Sequence, residues 1–219
     1  MTLDRLVRSI RRLSIQSPLD LSDDIKRIYY FAKTQLLYRH FFLSMGDRCV
    51  IRRPLLLKNC RYVSLGDGVS IRDGIRMEVV VSRPSRIPKL SIGNNVLIEQ
   101  NVHIVCHSRM TIGNDVSIAG HCAIVDVTHP YEGDYGDVKI GSRILDQDSF
   151  VEIGDGAFLG YGCIVLPNVR IGRRAVIGAN SVITKDVPDY GVVAGNPARL
   201  IKTYVPQSGR WETPNSRDD

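Results

Sequence analysis

The chain has 219 residues, 24% of them charged, with a formal net charge of +6. That length suits one principal domain with a small attachment. No run of about 18 uncharged apolar residues offers a membrane span, and the basic start lacks the apolar core and small-residue cleavage site of a signal peptide.

Residues 1–45 predict a helical segment. Leu3, Leu6, Val7, Ile10 and Leu13 recur at helical spacing with Arg5, Arg8, Arg11 and Arg12 between them, and Pro18 ends that run. Ser22, Asp23 and Asp24 mark a second start, with acidic residues at the positive end of the dipole. This helix is expected over about 25–43, with Ile25, Ile28, Tyr29, Ala32, Leu36 and Leu37 as an apolar face. Both helices are expected to pack against the next domain. The competing reading is peripheral membrane contact, the Arg-rich first helix lying on an anionic surface.

From residue 46 the pattern changes. A branched apolar residue returns every six positions: Ile51 and Leu57, then, after a two-residue slip, Leu65 and Ile71. Residues 82–89 contain two prolines that cannot donate to a ladder, and they read as an extruded loop. Ile92, Ile98 and Ile104 resume the count. A second slip leads to Ile112, Ile118 and Ile124, and after a long gap come Ile153, Leu159, Val165, Ile171, Ile177 and Ile183. Six fits neither the helical period nor the strand period. It reads as a parallel β-helix, three hexads to a triangular coil, with the repeated residue pointing inward and stacking on the next coil at about 4.8 Å. The domain would span 46–203. The gap, about 125–150, is polar and Gly-rich and carries Thr128-His129-Pro130, so it reads as a functional loop. Residues 204–219, polar and Pro-containing, are expected to be a flexible tail.

The five cysteines, Cys49, Cys60, Cys106, Cys122 and Cys163, are odd in number and form no CxxC pair. That favours reduced thiols in a cytoplasmic protein, at the inner face of the membrane if the first helix binds there. Nucleic acid is not expected as a partner, because no basic stripe is interleaved with aromatics.

The hexads, the T-H-P loop and the closing S-V-I-T-K-D-V-P and V-V-A-G-N-P-A-R-L-I-K together resemble the hexapeptide-repeat acyltransferases, in the branch of maltose, thiogalactoside and surface-polysaccharide O-acetyltransferases. The resemblance covers about 50–203. It implies a left-handed β-helix, against the usual right-handed crossover rule. It also implies a homotrimer and acetyl-CoA as cosubstrate in the groove between subunits. On the matching positions, His129 would be the general base. Tyr161 and Ala179 would offer backbone contacts to the pantetheine arm, Thr184 and Lys185 would lie near the nucleotide end, and Arg199 and Lys202 would meet its phosphates. Glu99 and His107 stand where thiogalactoside enzymes place an acceptor-binding Asn and Asp. They are carried over as acceptor-binding positions, with the acceptor itself in doubt. Phe158 replaces the family's usual Trp.

The implied reaction is acetyl transfer to a sugar hydroxyl in bacterial surface-glycan biosynthesis, direct and without an acyl-enzyme. A positioned imidazole suits removal of the hydroxyl proton. The alternatives are N-acetylation of a nucleotide-linked amino sugar, antibiotic acetylation, and a non-catalytic scaffold. His129 has a plain reading as a solvated loop histidine. Glu99 and Asp126 have one as exposed hexad positions, and Cys106, Cys122 and Cys163 have one as small coil residues. His103, His107 and His121 read as separate histidines, since no tight ligand spacing supports a metal site.

Overall fold

The computed structural model describes residues 18–82, 87–133, 136–145 and 147–214. The helix expected over residues 3–13 lies outside them. Among the described residues there are twenty-one short strands. The first coil comprises β1 (Ser44–Met45), β2 (Val50–Ile51) and β3 (Leu56–Lys58). The second comprises β4 (Val63–Leu65), β5 (Ser70–Ile71) and β6 (Arg76–Val79), and the third β7 (Lys89–Ile92), β8 (Leu97–Ile98) and β9 (His103–Cys106). The fourth is β10 (Arg109–Ile112), β11 (Ser117–Ile118) and β12 (Ala123–Val125), followed by the long loop. The fifth is β13 (Phe150–Ile153), β14 (Phe158–Leu159) and β15 (Ile164–Val165). The sixth is β16 (Val169–Ile171), β17 (Val176–Ile177) and β18 (Val182–Ile183). Each strand pairs in parallel with the strand three later, so three parallel sheets form the sides of a prism. We call them A, B and C in the order in which the first coil meets them.

The register explains the six-residue period. Met45, Leu65, Ile92, Ile112, Ile153 and Ile171 stack in one inward column of sheet A. Ile51, Ile71, Ile98, Ile118, Leu159 and Ile177 do so in sheet B, and Leu57, Met77, Ile104, Ile124, Val165 and Ile183 in sheet C. All of these are buried except Leu57, which is half-buried. The two-residue slips are absorbed at corners, so the inward residue never changes face.

One corner is held by two ladders. Gly46, Gly66, Gly93, Gly113, Gly154 and Gly172 follow one another up the stack, each so close to the next that a Cβ would lie within about 3 Å of backbone atoms there. Beside them Asp67, Asn94, Asn114 and Asp155 each accept a hydrogen bond through Oδ1 from the backbone N–H of the residue one coil below, at 2.6–2.9 Å. A corner turned this tightly leaves N–H groups without a sheet partner, and a short Asx side chain supplies it.

The N-terminal helix α1 runs Pro18–Leu36, followed by a 3-10 turn at Tyr38–Phe41. This differs from the expected 25–43. Pro18 opens the helix, where its missing N–H costs nothing. The helix does pack on the first coil, but with the other face. Thr34 Oγ1 accepts from Ile51 N–H (2.8 Å), and Gln35 Nε2 donates to the Cys49 carbonyl (3.0 Å). Ile25, Ile28, Tyr29 and Leu36 are exposed. The cause is the edge strand β2, whose unpaired backbone groups need polar partners more than apolar cover.

The far end also departs from expectation. β19 (Gly191–Gly195) joins sheet B in parallel. β20 (Ala198–Val205) and β21 (Arg210–Glu212) then continue that sheet antiparallel, so the stretch expected to be a tail from residue 204 is, as far as Glu212, part of a hairpin. Tyr204 packs between Tyr190 and Trp211 with ring centroids 6.2 and 5.3 Å away, which accounts for order in a stretch poor in aliphatics.

Candidate functional site

The backbone leaves the prism after Val125, and the first residue outside, Asp126, is fully buried. Its carboxylate accepts from the backbone N–H groups of His107, Ser108 (2.9 Å) and Arg109 (3.0 Å), pinning the loop root to the turn between β9 and β10. The reading of Asp126 as an exposed hexad position is therefore corrected. Three converging N–H groups one coil below draw the carboxylate in.

Three residues on, His129 is exposed, and its Nδ1 lies 2.7 Å from the Arg143 carbonyl oxygen. A carbonyl can only accept, so Nδ1 carries a proton and, in the neutral ring, Nε2 carries the lone pair. The two limbs of the loop are also tied by Leu145 N–H to the Thr128 carbonyl (2.9 Å). Arg143 Nε donates to the Val138 carbonyl (2.8 Å) and steadies the segment that orients the ring. The orienting group is a backbone carbonyl, which has no signature in the residue types. Only the structure reveals it.

The other candidates fall in separate places. Tyr161 and Ala179 sit one coil apart on the corner between sheets B and C, joined by Asn180 N–H to the Tyr161 carbonyl at 2.7 Å. The Tyr161 ring packs against His121, centroids 5.1 Å apart. Beside this corner the outward column of sheet B is bare: Ala119, Gly160, Gly178 and Ala194 follow one another from the fourth coil to β19. Thr184 and Lys185 are exposed just after β18. Arg199 and Lys202 lie on β20, Arg199 exposed and Lys202 with Nζ 4.6 Å from the Trp211 ring centroid. Arg173 is held by Asp189 (3.3 Å) and stacks on Tyr190.

Glu99 is half-buried in the same outward column, one coil below Ala119, with Oε1 3.8 Å from Arg72 Nε. His107 is 2% exposed, and a ring nitrogen lies 2.8 Å from Ser82 Oγ. It belongs to the wall behind Ser82 and not to open solvent. His103 faces outward, as its place before Ile104 implies, beside Arg76 (3.4 Å). Among the described residues no His, Cys, Asp and Glu group could hold a metal ion.

All five cysteines are free and buried. Burial, followed by the nearby Asp126 carboxylate, pushes the Cys106 thiol up, and burial pushes Cys60 up to about 11. Cys122 is raised by its hydrogen bond with Cys163 and by burial. The same bond, from the other side, lowers Cys163. A thiol held protonated inside the prism is a poor acyl carrier, which fits Cys106 and Cys122 as packing elements; for Cys163 the support is its burial in the core alone.

Residues 150–185 match the family model "Bacterial transferase hexapeptide (six repeats)". WbbJ of Escherichia coli, which carries the name of a lipopolysaccharide biosynthesis O-acetyl transferase, is 30% identical over 184 residues. That alignment covers 81% of this chain and 88% of WbbJ. The galactoside O-acetyltransferase of Lactococcus lactis is 36% identical over 172 residues, covering 78% of this chain and 68% of that one. The chain belongs to the hexapeptide-repeat acyltransferases. The prism is accordingly the left-handed β-helix of that family. The crystal structure of AntD, an N-acyltransferase from Bacillus cereus in complex with dTDP and 3-hydroxybutyryl-CoA, superposes with a TM-score of 0.65. It covers 82% of this chain and 92% of AntD at 19% identity, a likeness of fold.

Within this hexapeptide-repeat acyltransferase, one solenoid carries both the loop with the oriented histidine and the bare strip of sheet B. The strip runs toward the exposed cations at the C-terminal end. Sequence reasoning had missed the anchoring role of Asp126, the orienting carbonyl of Arg143 and the placing of Lys202 on Trp211. The Lys-x-Tyr and Arg-Trp pattern of a short polar hairpin was the one signal available for the last.

Proposed function

We propose that the chain transfers an acetyl group from acetyl-CoA to a sugar hydroxyl in surface-glycan biosynthesis, with His129 as general base. The observation that carries this reading is the Nδ1 bond to the Arg143 carbonyl, which in the neutral ring of this exposed residue leaves the lone pair on Nε2. In the step, Nε2 takes the acceptor's hydroxyl proton as the oxygen attacks the thioester carbonyl carbon. The tetrahedral oxyanion is met by a backbone N–H. On collapse the C–S bond breaks, and Nε2 returns the proton to the leaving thiolate. No acyl-enzyme is needed.

The residues fit the donor. The bare Ala119–Gly160–Gly178–Ala194 strip leaves room for an extended pantetheine arm, with Tyr161 and Ala179 offering backbone groups beside it. Thr184, Lys185, Arg199 and Lys202 supply polar and cationic groups where a nucleotide diphosphate would end. Relatives with CoA-type ligands and the WbbJ match over 88% of that protein's length support the donor and the glycan setting. Glu99, and His107 through Ser82, would border the acceptor. The exposed face of the His129 loop would be turned to a neighbouring subunit in a homotrimer, and the chain would work in the cytoplasm.

The test is thiol release from acetyl-CoA with a panel of sugars and amino sugars. His129→Ala is expected to lower turnover by about 10²–10⁴-fold while acetyl-CoA binding persists. Turnover equal to wild type would remove the base, and acceptance of amino sugars alone would replace O-transfer with N-transfer.

A further inference from the structure

Between α1 and the lower end of sheet B lies a cavity of about 480 Å³, lined by Asp24, Arg27, Tyr30, Val50, Arg52, Ser70 and Arg72. The volume falls within the range of small-molecule sites. Its charge is unusual. Arg52 and Arg72 occupy one outward column on adjacent coils, about 4.8 Å apart by strand spacing. Arg27 comes over them from the helix. Like charges facing each other on neighbouring strands are destabilising, so the pair calls for a counter-charge.

The protein supplies it poorly. Arg52 Nε is 3.6 Å from Asp73 Oδ1, but that carboxylate already accepts from the backbone N–H of Arg53 (3.2 Å) and from its guanidinium (3.0 Å). Arg72 reaches Glu99 only at 3.8 Å. Among the described residues neither guanidinium donates a hydrogen bond to a protein group, nor does that of Arg27. Arg52 Nε is closed off from solvent as well. The Arg52 guanidinium carbon nonetheless lies over the Tyr30 ring, 5.4 Å from its centroid. Three guanidinium forks whose donors make no hydrogen bond to the protein among the described residues, one of them over an aromatic ring, with a serine hydroxyl beside them, match the oxygens of a phosphate group. Asp24 is the one acidic residue of the lining, and Asp73 and Glu99 reach the pair only at 3.6 and 3.8 Å, so the hydrogen-bond donors of the three forks are left for the oxygens of an anionic ligand.

We propose that this cavity binds a diphosphate. Glu99 stands one coil above Arg72 in the same column, so the diphosphate would be the one linking the acceptor sugar to its carrier. This last step rests on the acceptor position given under Proposed function; the binding itself does not.

Calorimetry on the full chain with inorganic pyrophosphate tests it, with UDP and geranyl diphosphate as further arms. Wild type is expected to bind pyrophosphate. The Arg52→Gln/Arg72→Gln double variant should bind at least about tenfold more weakly, with acetyl-CoA affinity unchanged. Arg27→Gln, on the exposed helix surface, should weaken it several-fold without touching the coils, and serves if the double variant fails to fold. Tighter binding of UDP assigns a nucleotide carrier, and tighter binding of geranyl diphosphate a lipid carrier. No heat at millimolar pyrophosphate, or equal affinity in the variants, overturns the site. His129→Ala should bind pyrophosphate like wild type, so loss of the base assignment and loss of this site are read separately. If the double variant leaves KM for a diphosphate-linked sugar unchanged, the link to the acceptor is overturned.

Discussion

Glu78 is 8% exposed on the outer side of β6, gripped by Lys58 Nζ (2.8 Å) and by Arg76 Nη2 (2.5 Å). Its bond to Lys58, and next that to Arg76, hold its carboxyl below the ordinary value of 4.5. Next to it, burial and the Arg76 charge hold His103 below 6.5. Both groups bind protons less readily folded than unfolded, so both contribute stability that is complete above their unfolded values and is lost on acidification. We expect unfolding free energy to fall in two windows, from about pH 6.5 downward for His103 and from about pH 4.5 downward for Glu78. Glu78→Gln should cost about 1–3 kcal/mol near neutrality and flatten the lower window. Urea titrations across pH measure both, and an unchanged acid limb in the variant would contradict the assignment. At this scale the sequence was half legible. His129 stood out because a histidine in a polar loop that interrupts a repeat has few structural reasons to be there. Asp126 did not, because its burial depends on three backbone N–H groups of a turn 17–19 residues away, and no residue type announces those.

The elements were read from the side chain that repeats, and that succeeded wherever one residue does one job in every coil. The inward Ile, Leu and Val columns and the corner glycines are of that kind. Gly113 illustrates the constraint: a Cβ there would lie 2.4 Å from Asp155 Oδ1 and 2.8 Å from Asp155 N, on the next coil. Gly113→Ala is therefore expected to cost about 1–3 kcal/mol and to loosen the Asp155–Asn114 rung. A denaturation midpoint equal to wild type would mean that the corner tolerates spreading. Elements outside the repeat were read less well. In α1 the apolar stripe of Ile25, Ile28, Tyr29 and Leu36 was assumed to be the packing face, since periodicity reports which residues share a side and not which side meets the protein. The choice was made by β2, an edge whose N–H and C=O groups take Thr34 and Gln35. The C-terminal hairpin was missed for a similar reason. Its cohesion comes from three aromatic rings and a lysine stacked on one of them, in a stretch whose polarity resembles a tail.

For the whole molecule the handedness, like the expectation of a homotrimer, came from resemblance and not from spacing, because a period of six specifies a triangular coil without specifying its sense. What the architecture adds is a problem at its two ends. A stack of parallel strands can accept another strand on its first and last coil alike. The helix answers at the beginning through Thr34 and Gln35, and the antiparallel turn from β19 into β20 answers at the end of sheet B. Removing residues 198–219 should bare the β19 edge and give concentration-dependent light scattering from a chain that is otherwise folded. A monodisperse truncated protein would show that the hairpin has no such duty. The consequence is a limit on size. With the base of sheet B sealed by side-chain groups and its top open, two shortened copies could meet only top to top, a contact that closes on itself at a pair and cannot run on into a thread.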